Sequence, residues 1–134
     1  MNYLLDTNTC IYIINKKFPS VIDRIRSKQI DEITISTITI AELEYGVERS
    51  QHSDQNRIAL LEFLVPFKIL AFDQQAATVY GKIRSYLESK GTPIGPMDLL
   101  LASQAISHNL ILVTNNTREF KRINNLQVEN WVSR

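Results

Sequence analysis

Residues 2–14, NYLLDTNTCIYII, decide how the rest of the chain is read. The apolar run Tyr3-Leu4-Leu5 ends in Asp6-Thr7-Asn8, and apolar residues resume at once with Cys10, Ile11, Ile13 and Ile14. The first run reads as a short buried strand over residues 3–6. The second reads as a helix over 8–15, with Asp6, Thr7 or Asn8 available as its N-cap. A carboxylate and two polar side chains thus separate two segments that both favour burial, and that junction needs a reason.

Outward from it, strand and helix patterns alternate. Pro19 and Ser20 open a second helix whose Val21, Ile22 and Ile25 share a face. The β-branched alternation Ile33-Thr34-Ile35-Ser36 is a second strand. Ile40, Leu43 and Val47 at i, i+3, i+7 predict a helix over 39–49, and Ile58, Leu61 and Leu64 another over 54–64, stopping before Pro66. Residues 67–72 form a third strand. Asp73 caps a long helix striped by Ala76, Tyr80, Ile83 and Leu87 and ended by Gly91. GTPIGP (91–96) is a loop, and Pro96 starts a helix running to about residue 108. Residues 110–113 make an interior strand, 117–122 a helical turn and 126–128 an edge strand.

Strands too apolar to be solvated on either face, alternating with helices, indicate an α/β fold with a mostly parallel sheet. The 134 residues suit one domain, long enough to bury roughly two-thirds of its unfolded surface. With 44% hydrophobic and 22% charged residues the composition excludes a disordered chain. No apolar run approaches the roughly 20 residues of a bilayer span, so no membrane association is expected. No secretory leader is visible, and the lone Cys10 reads as a small core residue, so a cytoplasmic location is expected. One Cys and two distant His residues, His52 and His108, make no zinc site.

The acids fall where strands end or helices begin. Asp6 closes the first strand, and Glu42 is expected in the first turn of the helix after the second. Asp98 opens the helix after the Gly/Pro loop, and Glu119 follows the fourth strand. Each has a plain structural reading. Asp6 is a potential N-cap, Glu42 half of a capping box with Thr39, Asp98 an acid favoured by the helix dipole, and Glu119 solvated surface beside Arg118. Capping does not explain why all four can approach one edge of a parallel sheet, where α/β proteins bind ligands. Gathered carboxylates repel, and Mg²⁺ or Mn²⁺, held by a few carboxylates and several waters, reverses that penalty.

At these residues the sequence resembles the PIN-domain family, specifically the VapC-type toxins of bacterial toxin–antitoxin pairs. The resemblance rests on LLDTNTCIYII, STITIAELEYGVERS (36–50), GTPIGPMDLLLASQA (91–105) and LILVTNNTREF (110–120), in the family's order and spacing. It implies a single PIN domain over 1–134, a three-layer α/β/α fold around a sheet of about five strands. It makes Asp6 and Asp98 the principal metal-binding acids. It selects Glu42, through AELEYG, over its pattern rival Glu44, and offers Thr7, Asn8, Thr114, Asn115 and Asn116 as groups that orient acids and water. Many PIN domains carry Asp where this chain has Asn116, and Glu119, three residues later, is the replacement acid.

The implied chemistry is Mg²⁺-dependent hydrolysis of an RNA phosphodiester, with Mn²⁺ as a substitute and Glu42 and Glu119 holding water or accepting its proton. The resemblance further implies a tRNA substrate, in one subgroup the initiator tRNA anticodon loop, inhibition of translation, a homodimer and a cognate antitoxin. The net charge is only +1, but with four of the 14 acids committed to metal, 15 basic residues face ten acidic ones, a balance of +5. Arg118, Lys121 and Arg122 adjoin the last motif and are the expected phosphate contacts, Arg118 foremost. Aromatic and basic residues do not interleave in the manner of a single-strand-binding platform. Apolar residues around Ile11–Ile14 and Tyr45–Val47 are spare enough for partner contacts.

Two other readings compete. A non-catalytic, PIN-like RNA-binding or regulatory module, weakened by Asn116, predicts RNA affinity without cleavage. An aspartyl phosphohydrolase or phosphoacceptor receiver needs an Asp two residues after Asp6, where Asn8 stands, or a late strand-end Lys that the chain lacks.

Overall fold

In the computed structural model, which describes residues 1–133, five parallel strands form one sheet in the order β3-β2-β1-β4-β5. The strands are β1 (Tyr3–Leu5), β2 (Ile33–Ser36), β3 (Lys68–Leu70), β4 (Ile111–Val113) and β5 (Val128–Glu129). β1 takes the centre because it is apolar on both faces. Its Leu4 packs in one core with Leu87, Leu112 and Phe120, while Tyr3 and Leu5 pack in the other with Ile35, Leu43 and Val113.

The helices divide between those two cores and make the outer layers. α1 (Thr7–Ile14), α2 (Pro19–Arg26), α3 (Thr37–Arg49) and α4 (Ser53–Leu64) cover one face through Cys10, Val21, Val47 and Leu60. α5 (Gln74–Ser89), α6 (Pro96–Ser107) and α7 (Thr117–Phe120) cover the other through Leu87, Leu101 and Phe120. The sheet is wholly parallel, so each strand's carboxyl end opens on the same edge. Strand order reverses between β1 and β4, and the Asp6 N–H donates to Val113 O at 3.0 Å across that junction. Such switch points leave a crevice at the strand ends.

Several expected boundaries shift, each for a local reason. The helix expected from Thr39 begins at Thr37, because Ser36 caps it by accepting from Ile38 N at 2.9 Å. That places Glu42 in the second turn, and Thr39 is a fully buried residue, not a cap. β3 shrinks to Lys68–Leu70, an exposed edge. β5 sits at Val128–Glu129, just beyond the expected 126–128. A short 3₁₀ turn, Ile30–Glu32, closed by reciprocal bonds between Gln29 and Glu32, precedes β2 and was not anticipated. No helix among the described residues is long and apolar enough to cross a membrane.

Candidate active site

The crevice at the β1/β4 switch point is built from short-range backbone choices. Asp6 takes an extended conformation immediately after β1, and its Oδ1 accepts from Thr9 N at 2.8 Å, capping α1. The N-cap reading of Asp6 thus holds, and capping leaves the same side chain at the crevice. Asp6 is 5% exposed. Burial pushes its pKa up, while hydrogen bonds from Thr114 and Thr9 oppose the rise and the charge of Glu42 adds to it.

Asp98 arrives from the opposite layer. Pro96 starts α6, which puts Asp98 in its first turn, near the dipole's positive end. Burial, and then the negative charges of Asp6 and Glu119, raise Asp98 to about 6, against a lowering hydrogen bond from Asn116. The position of α6 is held further along by Gln104. This fully buried side chain bonds with Ser36 at the end of β2 and donates through Nε2 to Leu70 O, at the end of β3, at 3.3 Å.

Glu42 and Glu44 separate cleanly, since residues two apart on a helix face different ways. Glu42 accepts a hydrogen bond from Thr7 Oγ1, which lies 3.3 Å from Thr39 Oγ1. Glu44 turns outward and, with Glu48, pairs with Arg57. Thr39 is the polar residue at this site that sequence reasoning placed wrongly. Its i, i+3 relation to Glu42 signals a shared face, which a capping-box reading also satisfies.

Asn116 does more than fill the place of an acid. Its Nδ2 donates to Glu119 Oε2 at 3.0 Å and to Asp98 Oδ2 at 3.4 Å, bridging two carboxylates. Its own N–H donates to the buried Thr114 Oγ1 at 2.9 Å, which fixes the turn after β4. Glu119 is thereby drawn in from the solvated position that its neighbour Arg118 suggests. Asn8 is exposed, and Asn115, also exposed, accepts from Asn130 Nδ2 at 3.1 Å. Arg118 and Lys121 are exposed, whereas Arg122 donates to Pro93 O at 3.1 Å and ties the segment after α7 to the loop before α6.

Among the described residues no three acids, histidines or cysteines stand close enough to form a ready-made metal cage. The donor set nonetheless suits a hard divalent cation. It is all oxygen, it carries uncompensated negative charge, and Mg²⁺-type ions need only one or two carboxylates with water completing the shell. Asp73, the acid that follows β3, lies elsewhere: it caps α5 and its Oδ2 is 2.9 Å from His108 Nε2.

Fold and crevice together define a class, a small three-layer α/β/α domain with acids at the switch point of a parallel sheet. The PIN domain family matches residues 3–126. Ribonuclease VapC2 of Rickettsia felis is 47% identical over 132 residues, covering 98% of each chain. The tRNA(fMet)-specific endonuclease VapC of Shigella flexneri is 42% identical over 131 residues, again covering 98% of each. The structure of Rickettsia felis VapBC2 bound to a DNA fragment from its promoter superimposes with a TM-score of 0.90, at 47% identity over 98% of this chain and 99% of that one. The chain belongs to the PIN-domain family, in its VapC ribonuclease branch. Nucleases of this family work with divalent cations.

Proposed function

We propose that this chain, as a single PIN domain over residues 1–134, is an Mg²⁺-dependent endoribonuclease toxin, with Mn²⁺ able to substitute. The observation that supports the site assignment best is Asp98, raised to about 6 by burial and by the charges of Asp6 and Glu119. Carboxylates held in this state bind a divalent cation in exchange for protons. Asp6 and Asp98 are the residues to hold it. When bound, the cation supplies Lewis acidity, activating water and neutralising charge that builds on the phosphoryl oxygens.

The chain's own residues do the rest. Thr7 orients Glu42, and Asn116 orients Glu119, so that each carboxylate faces the crevice and accepts a proton from water or positions it. A hydrogen bond from Thr114 opposes the rise that burial imposes on Asp6 and so favours its carboxylate form. Arg118 and Lys121 draw the phosphate backbone toward the acids, and Arg122 adds charge while anchoring the loop that leads to Asp98.

The substrate is RNA, with tRNA favoured by the relative named for tRNA(fMet) and an unpaired anticodon loop by the accessibility of its bases. Cleavage there stops translation, and the VapBC complexes among its relatives support control by a cognate antitoxin in the cytoplasm. The groove between α1, α3 and α4, lined by Ile11, Ile14, Val47 and Leu60 and reaching Glu42, suits antitoxin or homodimer contacts.

The test is incubation of antitoxin-free protein with total bacterial RNA, with Mg²⁺ or EDTA, beside Asp6→Asn. Discrete cuts that need both Mg²⁺ and Asp6 are expected. Intact RNA from a folded, cation-loaded protein would refute catalysis and leave an RNA-binding module.

A further inference from the structure

One face of α5 interleaves basic and aromatic residues. Lys82, Tyr86 and Lys90 recur at i, i+4 and i+8 on α5 and its C-cap, which places them on one face. Tyr86 is 42% exposed, far more than a core tyrosine, and Lys90 Nζ lies 5.7 Å from its ring centroid. Beside this face an open cleft of about 140 Å³ is lined by Lys82, Ile83, Tyr86, Ile123 and Asn124. No carboxylate lines it. The neighbouring acid on α5, Glu88, is already paired with Arg84 at 2.9 Å.

The cleft is mechanically joined to the acid crevice. Ile123 lies four residues beyond Glu119 and packs in the same core as Phe120 and Leu87. Lys121, exposed, stands between cleft and crevice in sequence. Arg122 clamps this segment to Pro93, on the loop that leads into α6 and Asp98. The segment that follows Glu119 thus runs through the exposed Lys121 to a cleft whose aromatic ring, Tyr86, is flanked by two lysines.

We propose that Tyr86 is a stacking platform for an unpaired base of the RNA substrate, with Lys82, Lys90 and Lys121 holding the adjoining phosphates. Charge selects the occupant: four cationic side chains (these lysines and Arg118) with no lining carboxylate match a polyanion, and the exposed ring matches the face of any base. The inference rests on the ribonuclease reading and extends it to how the substrate is held on one side of the cut.

The experiment measures binding of an RNA loop oligonucleotide to the cleavage-blocked Asp6→Asn chain by fluorescence anisotropy, over a range of salt. Tyr86→Ala, Tyr86→Phe and Lys82→Ala are each added to that background and to the active chain. Tyr86→Ala is expected to weaken binding by about 5- to 100-fold, with Tyr86→Phe retaining it. Lys82→Ala should lower the log–log salt slope by about 0.7, the contribution of one single-strand phosphate. In the active chain the loss should appear in KM and not in kcat. Wild-type-like binding and KM in Tyr86→Ala and Lys82→Ala, while the active chain still cuts RNA, would overturn the platform and leave the nuclease intact. A changed oligomeric mass by light scattering with unchanged RNA affinity would also overturn it, assigning this face to a protein contact. A parent chain that neither binds nor cuts RNA would remove both readings together.

Discussion

At Asp6 one carboxylate caps α1 and also carries a charge into the crevice, and two substitutions can separate those duties. Asn is as good an N-cap as Asp, whereas Ala is not. Both Asp6→Asn and Asp6→Ala should abolish cleavage, but only Asp6→Ala should lose about 1 kcal/mol of stability in urea titration. Asp98 gives a pH signature. Its folded pKa, about 6, exceeds the ordinary carboxyl value, so its contribution to stability is present below the unfolded value and is lost as pH rises through 6. In EDTA, Asp98→Asn should therefore gain thermal stability relative to the wild type at pH 7.5, and show no such gain at pH 4. Asn116 was legible as the departure from an acid but not as a bridge, because where an amide points depends on the tertiary placement of its neighbours. Asn116→Ala should weaken cation affinity in calorimetry by about 10- to 100-fold, in the range of other groups that orient metal ligands.

Among the elements, α7 shows how little regular structure is needed to place an acid. Its four residues, Thr117–Phe120, are too few to be stable alone, and the fully buried Phe120 anchors them in the core beside Leu112 and Ile123. Phe120→Ala should cost about 3–5 kcal/mol by chemical denaturation, whereas Phe120→Leu should cost much less and keep Glu119 in place. Element identity was legible wherever periodicity was strong, as in the stripe of α5 or the β-branched β2. Boundaries were less so. Ser36 is both the last residue of β2 and the cap of α3, and no local pattern shows that one hydroxyl closes a strand and opens a helix. β3 was harder still, since its exposed edge residues follow neither a core nor a surface rule.

Across the whole molecule, the wholly parallel sheet makes the position of a residue along the chain a poor guide to its neighbours. The shared edge of the acids followed from strand–helix alternation, but which acids face each other depended on strand order and helix rotation, as the divergence of Glu42 and Glu44 shows. A cation should relieve the repulsion gathered at that edge. Adding Mg²⁺ to EDTA-treated protein is expected to raise Tm, more at pH 8 than at pH 5.5, because protons compete with the metal below Asp98's pKa. An equal rise at both pH values would remove Asp98 from the cation site.

The pairing of β1 with β4 joins residues 3–5 to residues 111–113. On a ribosome Asp6 emerges well before Thr114, Asn116 and Glu119, which follow it from more than 100 residues further along the chain. The β1–β4 register cannot form earlier, since one of its strands does not yet exist. Synthesis itself thus acts as a timer: however early Asp6 emerges, the crevice cannot assemble until the segment carrying Thr114, Asn116 and Glu119 has followed it.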